Sequence, residues 1–295
     1  MKILLLTEPM PPSVFAQAMP GLELLPYRRD LNDADLADVQ VVLAWQVPEG
    51  VYARLPRLRW VCSVAAGVEK LLTSDLPPHV PVSRIVDVDQ AEGIAQFVVM
   101  MALRHARNLP RYELQHLQKQ WVRHPVAAVR SGVAVLGMGT MGSAIARLLS
   151  AVGFEVTGWS RRSTRSLDDV LSRSDIVVCA LPLTPQTQDI LNARALALMP
   201  QGAYLINVAR GGHVVEADLI AAVRSSHLSG AALDVQRREP MPADDALWDV
   251  PGITITPHIG AQSSVHTIAA QFEQGLAALQ AGLPLPRLVD REVGY

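Results

Sequence analysis

One stretch decides how the chain folds: Gly132-Val133-Ala134-Val135-Leu136-Gly137-Met138-Gly139-Thr140-Met141-Gly142. Its apolar first half predicts a buried strand, and the helical spacing of apolar residues within 144–149 predicts a helix after the glycines. Gly137 permits the tight turn between them, Gly139 lets the backbone approach a pyrophosphate, and Gly142 lets the helix pack closely on the strand. Backbone N–H groups at the helix N-terminus are donors for phosphate oxygens. The stretch therefore predicts a dinucleotide-binding βα unit, with a purely structural βα turn as the alternative.

On both sides of this unit, short apolar runs alternate with helical patterns. The predicted strands cover residues 2–7, 40–44, 59–63, 132–136, 155–159, 175–181, 203–208, 230–235 and 253–256, and the predicted helices include 91–108, 140–152, 216–224 and 263–282. Continuous apolar runs are typical of parallel strands that are buried on both faces. We therefore predict an α/β fold of two doubly wound parallel-sheet domains, Rossmann-like and flavodoxin-like.

The join between the domains is expected within residues 99–130. There the helix 91–108 links the domains, and a polar segment with Trp121 and Pro125 follows it. The helix predicted at 263–282 is long enough to return to the first domain and pack on it.

Composition excludes several classes of protein. A chain of 295 residues with 49% hydrophobic content is long enough for about two domains with sizeable cores. The formal charge of −2 gives no reason to expect nucleic acid or a membrane surface as a partner. The apolar run after Lys2 ends at Glu8 and Pro9, which is too short for an export signal. No run approaches the roughly 18 apolar residues of a membrane helix, so we expect a cytoplasmic protein.

The cysteines, Cys62 and Cys179, both lie in apolar runs without a CxxC spacing or a neighbouring histidine cluster. Such cysteines are typical of buried small hydrophobic residues in a reducing compartment. We therefore expect neither a metal site nor a redox role.

The end of the strand after the glycines indicates which dinucleotide binds. About 20 residues beyond the glycines, an NAD site carries an acid that bonds the ribose 2′-hydroxyl. Here the strand ends in Trp159-Ser160-Arg161-Arg162-Ser163, and the first carboxylate is Asp168. Arginine forks and a serine hydroxyl suit a 2′-phosphate, which an acid would repel. These residues favour NADPH, with NADH still possible; a solvated basic loop is the alternative.

Three polar residues follow later predicted strands: Arg210, Glu239 and His258. In an open α/β sheet, ligands bind beyond the carboxyl ends of the strands. Hydride attack on a ketone builds negative charge on oxygen, which an imidazolium can protonate near neutral pH. A carboxylate stabilises that imidazolium, and an arginine can bind a substrate carboxylate and polarise its carbonyl. Taken singly, each is more often a surface residue; together they predict carbonyl reduction.

With these motifs, the chain resembles the D-isomer-specific 2-hydroxyacid dehydrogenase family over almost its whole length. The resemblance rests on residues 137–142, 181–187, 207–211, 233–240 and 256–258. Within the family it is most similar to the bacterial glyoxylate/hydroxypyruvate reductase A group, through residues 159–161, 214–216, 289–291 and the ending Gly294-Tyr295. The resemblance implies NADPH-dependent reduction of small 2-oxo acids, glyoxylate to glycolate and hydroxypyruvate to D-glycerate, with His258 as proton donor. A reductase of another 2-oxo acid and a non-catalytic dinucleotide-sensing protein are the alternatives.

The resemblance also implies roles for individual residues. Arg210, Glu239 and His258 are the expected catalytic residues, and Asp234 is expected to contact the nicotinamide carboxamide. Further cofactor contacts are expected from Thr140, Met141, Leu181, Pro182 and Val208. Substrate contacts are expected from Trp45, Ala65, Ala66, Gly67, Arg210 and His258. Small residues at 65–67 let backbone N–H groups approach a carboxylate, and Trp45 would wall the pocket or be an ordinary, partly buried tryptophan.

The domain organisation implied by the resemblance is a split chain. A substrate domain comprises residues 1–98 plus 268–295, and a cofactor domain comprises residues 99–267. The active-site cleft is expected between the two domains. The resemblance further implies a homodimer built through the cofactor domains.

Overall fold

The computed structural model describes residues 1–124 and 131–291, so Pro125 and the ending Gly294-Tyr295 lie outside the described residues. The chain divides into two compact units, Met1–Asp87 with Gln262–Tyr295, and Val88–Ala261. None of the described helices combines the length and apolar character needed to cross a bilayer.

The strands confirm the predicted alternation. Within the described residues they are β1 (Lys2–Leu6), β2 (Glu23–Pro26), β3 (Val39–Ala44), β4 (Trp60–Ser63), β5 (Val82–Ser83), β6 (Gly132–Leu136), β7 (Glu155–Trp159), β8 (Ile176–Cys179), β9 (Ala203–Asn207), β10 (Leu228–Leu233) and β11 (Ile253–Ile255). Every predicted strand is present, β6 and β7 with the predicted ends and the others with slightly shifted ends, whereas β2 and β5 were not predicted.

The helices include four that the sequence predicted and several that it did not. They are α1 (Pro12–Ala18), α2 (Asp33–Leu36), α3 (Val88–Ala106), α4 (Leu109–Leu117), α5 (Thr140–Ala151), α6 (Leu167–Leu171), α7 (Ala193–Leu198), α8 (Glu216–Arg224) and α9 (Val265–Ala281). The prediction of a polar segment directly after the linking helix is wrong in part, because α4 occupies residues 109–117 at its beginning. Pro110 lies in the first turn of α4, where its missing N–H costs no helical hydrogen bond.

The first unit contains a parallel sheet with the strand order β2-β1-β3-β4-β5. Residues alternate along β1, so that Leu4 and Ile3 pack into cores on opposite faces of the sheet. Helices α1 and α9 cover the face to which Ile3 belongs, and there Trp60 stacks on Phe272 with ring centroids 5.0 Å apart. Helix α9, which the sequence predicted at 263–282, thus packs on the sheet of the first unit.

The second unit contains a parallel sheet with the strand order β11-β10-β9-β8-β6-β7. Helices α3 and α5 cover one face, and α6, α7 and α8 cover the other. The strand order reverses beside β6, and the carboxyl ends of all six parallel strands lie at one edge of the sheet. Ligands of doubly wound sheets bind at such a reversal. Two doubly wound parallel sheets are thus confirmed.

The two units join at different residues from those predicted. The division predicted at 98/99 falls inside α3, whereas the compact units divide after Asp87 and after Ala261. The physical reason is that α3 packs against α5 along its length, with Ala91 and Val98 both in the core of the second unit.

Both cysteines are buried, as the sequence predicted, and they form no disulfide bond with each other. Burial raises the pKa of the Cys62 and Cys179 thiols from 9.0 to about 12, because a thiolate would lose its hydration in the core. In residues 1–124 and 131–291, no three His, Cys, Asp or Glu side chains are grouped so that they could hold a metal ion.

Candidate active site

The glycine turn between β6 and α5 brings the strand and the helix into close backbone contact. Gly137 has a φ of +99°, and a Cβ there would lie 2.5 Å from the oxygen of Ala180. A Cβ on Gly142 would lie 1.7 Å from the oxygen of Gly137, so the helix could not approach the strand. A Cβ on Gly139 would meet nothing within 4 Å, so this glycine leaves open space in front of the helix. The chain itself needs two of the glycines, and the third leaves room for a ligand.

The helix N-terminus offers donors to that space. Gly139 is the N-cap of α5, with no side-chain hydrogen bond to the first turn. Thr140 and Met141 begin the helix, and first-turn N–H groups have no partner within a helix. Donors and open space together fit the phosphates of a dinucleotide.

The turn after β7 is basic and is ordered by its own serines. The backbone N–H of Ser160 donates to Ser163 Oγ at 2.8 Å, and the hydroxyl of Ser160 accepts from the N–H of Arg162 at 3.3 Å. Arg161 and Arg162 are exposed. Asp168, the first carboxylate after the strand, forms an ion pair with Arg194. The turn therefore presents hydroxyl and guanidinium groups, which fit a 2′-phosphate.

Two of the predicted catalytic residues are in direct contact. Glu239 follows β10 and His258 follows β11, and these neighbouring parallel strands end at the same edge. His258 Nδ1 lies 3.0 Å from Glu239 Oε2, and Glu239 Oε1 accepts the N–H of Gln236 at 3.1 Å. A carboxylate on Nδ1 places the proton there, so that Nε2 is the nitrogen that can transfer a proton. The side chains of His258 and Glu239 are 31% and 26% exposed, so the pair can meet a substrate.

Asp234 holds the turn that presents His258. His258 has a φ of +55°, which is uncommon outside glycine, and its N–H donates to the backbone oxygen of Asp234 at 2.9 Å. The buried carboxylate of Asp234 accepts from Thr256 Oγ1, Ile259 N and Gly260 N at 2.7, 2.9 and 2.8 Å. The resemblance implied only a nicotinamide contact for Asp234. The sequence did not predict that its carboxylate also stabilises the turn of His258.

Arg210 lies at the same edge, where β9 ends. Its backbone oxygen accepts from the buried side chain of Asn207 at 2.9 Å, and its Nη1 donates to the oxygen of Ala209 at 2.7 Å. The predicted cofactor residues Leu181, Pro182 and Val208 follow β8 and β9 at this edge. The structure thus gathers the predicted cofactor residues and Arg210, Glu239 and His258 at the carboxyl ends of one sheet.

The other predicted substrate residues, Trp45 and residues 65–67, belong to the first unit. Trp45 follows β3 and is half-buried, and Lys70 Nζ lies 5.2 Å from the centroid of its ring. The loop 65–67 follows β4, and Ser63 shapes it by donating to the oxygen of Gly67 at 2.8 Å and accepting from the N–H of Ala65 at 3.0 Å. Ala66 and Gly67 are half-buried.

Arg237, two residues before Glu239, has a structural role that the sequence did not reveal. It forms an ion pair with Asp189, its Nε donates to the oxygen of Val214 at 2.7 Å, and its N–H donates to Glu216 Oε1 at 2.8 Å. These bonds fasten the segment before Glu239 to the segment after Arg210. Partial burial raises the pKa of Glu216, and the charge of Asp245 adds to the rise. No local sequence pattern predicts these bonds, because Glu216, Val214 and Asp189 lie 21, 23 and 48 residues away from Arg237 in the chain.

Comparison with known proteins identifies the family. Residues 99–260 match the family described as D-isomer specific 2-hydroxyacid dehydrogenase, NAD binding domain. A protein of Yersinia enterocolitica named glyoxylate/hydroxypyruvate reductase A is 33% identical over 297 residues, which covers 94% of this chain and 93% of that protein. The protein of the same name from Serratia proteamaculans is 34% identical over 272 residues, covering 86% and 87%.

Solved structures agree with these relatives. A D-isomer specific 2-hydroxyacid dehydrogenase from Xanthobacter autotrophicus Py2, in complex with NADPH and MES, is 35% identical with a TM-score of 0.88 and covers 100% of this chain and 99% of that one. An NADPH-dependent glyoxylate/hydroxypyruvate reductase from Sinorhizobium meliloti, in complex with NADP and sulfate, is 33% identical with a TM-score of 0.90 and covers 100% of both chains. This chain therefore belongs to the D-isomer specific 2-hydroxyacid dehydrogenase family, and it is an oxidoreductase that uses a nicotinamide dinucleotide.

Proposed function

We propose that the chain reduces small 2-oxo acids with NADPH, converting glyoxylate to glycolate and hydroxypyruvate to D-glycerate. The observation that carries the proposal is the 3.0 Å contact between His258 Nδ1 and Glu239 Oε2 at the edge that also bears the glycine turn. The names of the Yersinia and Sinorhizobium relatives support the choice of substrates.

The bound nicotinamide supplies the hydride, and the residues of the chain bind the substrate and supply the proton. Arg210 binds the substrate carboxylate and polarises the neighbouring carbonyl group. Backbone N–H groups of residues 65–67 give the carboxylate further donors, and Trp45 limits the length of the substrate. Protonated His258 releases its Nε2 proton to the carbonyl oxygen as negative charge develops there. Glu239 stabilises the imidazolium before transfer.

The preference for NADPH is assigned to Ser160, Arg161 and Arg162. Their hydroxyl and guanidinium groups bind the 2′-phosphate, and Asp168 is engaged by Arg194. NADH lacks the phosphate and forgoes these charge-assisted bonds, so it serves as a weaker substitute.

A homodimer formed through the second unit is part of the proposal. Helix α4 and the segment after it expose large apolar side chains, among them Leu114, Leu117 (78% exposed) and Trp121 (93% exposed). Apolar side chains grouped on a surface mark contact sites between proteins. Sedimentation should give a dimer for the wild type and a monomer for Leu117→Glu; a monomeric wild type contradicts the dimer.

NADPH absorbance with a panel of acids tests the proposed activity. Glyoxylate and hydroxypyruvate should be reduced faster than pyruvate, and phenylpyruvate should be poor until Trp45 is replaced by alanine. If phenylpyruvate is the best substrate of the wild type, the role of Trp45 is wrong and another 2-oxo acid is the substrate. If tight NADPH binding occurs without turnover of any acid, the dinucleotide-sensing alternative replaces the reductase.

A further inference from the structure

We propose that His213 is a positioning residue of this site, because its buried imidazole ties the turn that carries Arg210 to the carbonyl group of Pro182. The proposal rests on the proposed function, which places Arg210 on the substrate and Pro182 beside the nicotinamide.

The geometry of the ring defines which bond matters. His213 is fully buried in a short 3₁₀ turn, Gly211–His213, directly after Arg210. Its Nδ1 lies 3.0 Å from the backbone oxygen of Arg210, and its Nε2 lies 3.2 Å from the backbone oxygen of Pro182. The Nδ1 contact stays within the turn, whereas the Nε2 contact joins residues 31 positions apart. A carbonyl oxygen only accepts and a neutral imidazole carries one N–H, so the ring can donate to only one of the two oxygens, and the link between the two segments requires that proton on Nε2.

The turn is already fixed on its other side. A Cβ at Gly211 would lie 2.0 Å from the backbone carbon of Gln236, so the turn is packed directly on the segment that leads to Glu239. Arg237 Nε holds the oxygen of Val214, at the end of the turn, at 2.7 Å. On the side of β8, the backbone N–H groups of Asp189 and Leu191 bind the oxygens of Gly212 and His213, both at 2.9 Å, and the His213 side chain adds the bond to Pro182.

The Pro182 carbonyl is a shared anchor. It accepts from Thr187 Oγ1 at 2.7 Å as well as from His213 Nε2. Thr187 belongs to the same loop as Pro182, so its bond shapes that loop without linking it to Arg210. Loss of the His213 bond frees Arg210 to shift relative to the nicotinamide side of the site. A displacement of about 1 Å in a substrate-positioning group costs up to roughly a hundredfold in rate.

Two amide substitutions separate the link from the local bond. The amide nitrogen in His213→Gln reaches about as far as Nε2, whereas the amide nitrogen in His213→Asn reaches only about as far as Nδ1. With glyoxylate, His213→Gln should retain kcat/KM within about threefold, and His213→Asn should lose roughly tenfold or more, chiefly through a higher KM. The NADPH Kd, from fluorescence quenching, should rise in His213→Asn and not in His213→Gln.

Thermal unfolding of both variants distinguishes positioning from mere stability. If His213→Asn lowers Tm but leaves the KM and the NADPH Kd of the folded protein unchanged, His213 is only structural and the proposal is wrong. Equal kinetic parameters in the two variants overturn it as well, because they would show that the Nε2 bond has no effect.

A measurement on the wild type does not depend on how the variants fold. Nitrogen-15 NMR of histidine-labelled protein should show a protonated Nε2 with slow solvent exchange for His213, assigned by the loss of its signal in His213→Gln. An unprotonated Nε2 overturns the proposal. If the wild type turns over no 2-oxo acid, the proposed function fails, while this signal still decides whether His213 donates to Pro182.

Discussion

Glu239 and His258 lie on successive strand ends, and the sequence alone predicted that they would work together. Their contact of 3.0 Å is the simplest consequence of parallel strands that end at one edge. The duty of Asp234 in holding the His258 turn was not predictable, because its donors Ile259 and Gly260 are backbone groups whose direction depends on the turn.

His258 is the proposed proton donor of the reaction. Replacement of His258 by alanine should lower kcat for glyoxylate by roughly 10²–10⁴, the usual contribution of acid–base catalysis, while NADPH binding survives. In Glu239→Gln the carboxylate that stabilises the imidazolium is gone, so kcat for glyoxylate should fall while NADPH binding survives. An unchanged kcat in Glu239→Gln would remove Glu239 from the mechanism.

Arg161 is proposed to bind the 2′-phosphate of NADPH. Arg161→Ala removes a charge-assisted contact to the 2′-phosphate, so the NADPH Kd should rise roughly ten- to hundredfold, whereas the NADH Kd should stay nearly constant. Arg173→Ala is the matched control, since Arg173 is another exposed arginine of the same unit and pairs with Asp169. Equal weakening of NADPH and NADH binding by Arg161→Ala would contradict the assignment.

At the scale of elements, the sequence predicted what hydrophobic periodicity can reveal. The central strands and the helices α5 and α8 were predicted because their apolar residues face cores on both sides of a sheet. Strand β2 is an edge strand ending at Pro26, and β5 has only two residues, so neither carries a strong pattern. Helix α4 was missed because Gln115 is its only buried residue and no apolar stripe faces a core.

Helix α9 packs closely against β4 at Gly275. A Cβ at Gly275 would lie 2.3 Å from Cη2 of Trp60, which is buried in the core of the first unit. Gly275→Ala should therefore lower the free energy of unfolding by about 1–3 kcal/mol, measured by urea titration. Gly21→Ala is the control, because a Cβ there meets nothing within 4 Å. Equal stability of Gly275→Ala and the wild type would show that α9 does not lie this close to β4.

At the scale of the whole molecule, the two buried thiols make stability depend on alkaline pH. The folded-state pKa of Cys62 and Cys179 is raised to about 12 from 9.0, so below pH 9 the thiols are neutral in both states and cost nothing. Between pH 9 and 12 only the unfolded chain releases these protons, so stability falls as pH rises, by up to about 1.4 kcal/mol per pH unit for each thiol. The double variant Cys62→Ala/Cys179→Ala should show a shallower fall in the free energy of unfolding above pH 9. Identical slopes would mean that the thiols ionise in the folded protein.

The central claim is that the molecule binds a carboxylate next to the carbonyl it reduces. Its most direct test is kcat/KM, measured with NADPH, for glyoxylate and for glycolaldehyde, an aldehyde of similar size without the carboxylate. With glycolaldehyde, Arg210 has no carboxylate to bind and the charge-assisted bonds are lost, so glyoxylate should be preferred by roughly 10⁴-fold. Equal kcat/KM for the two aldehydes would contradict the carboxylate-binding role of Arg210 and of residues 65–67, and with it the proposed reduction of 2-oxo acids.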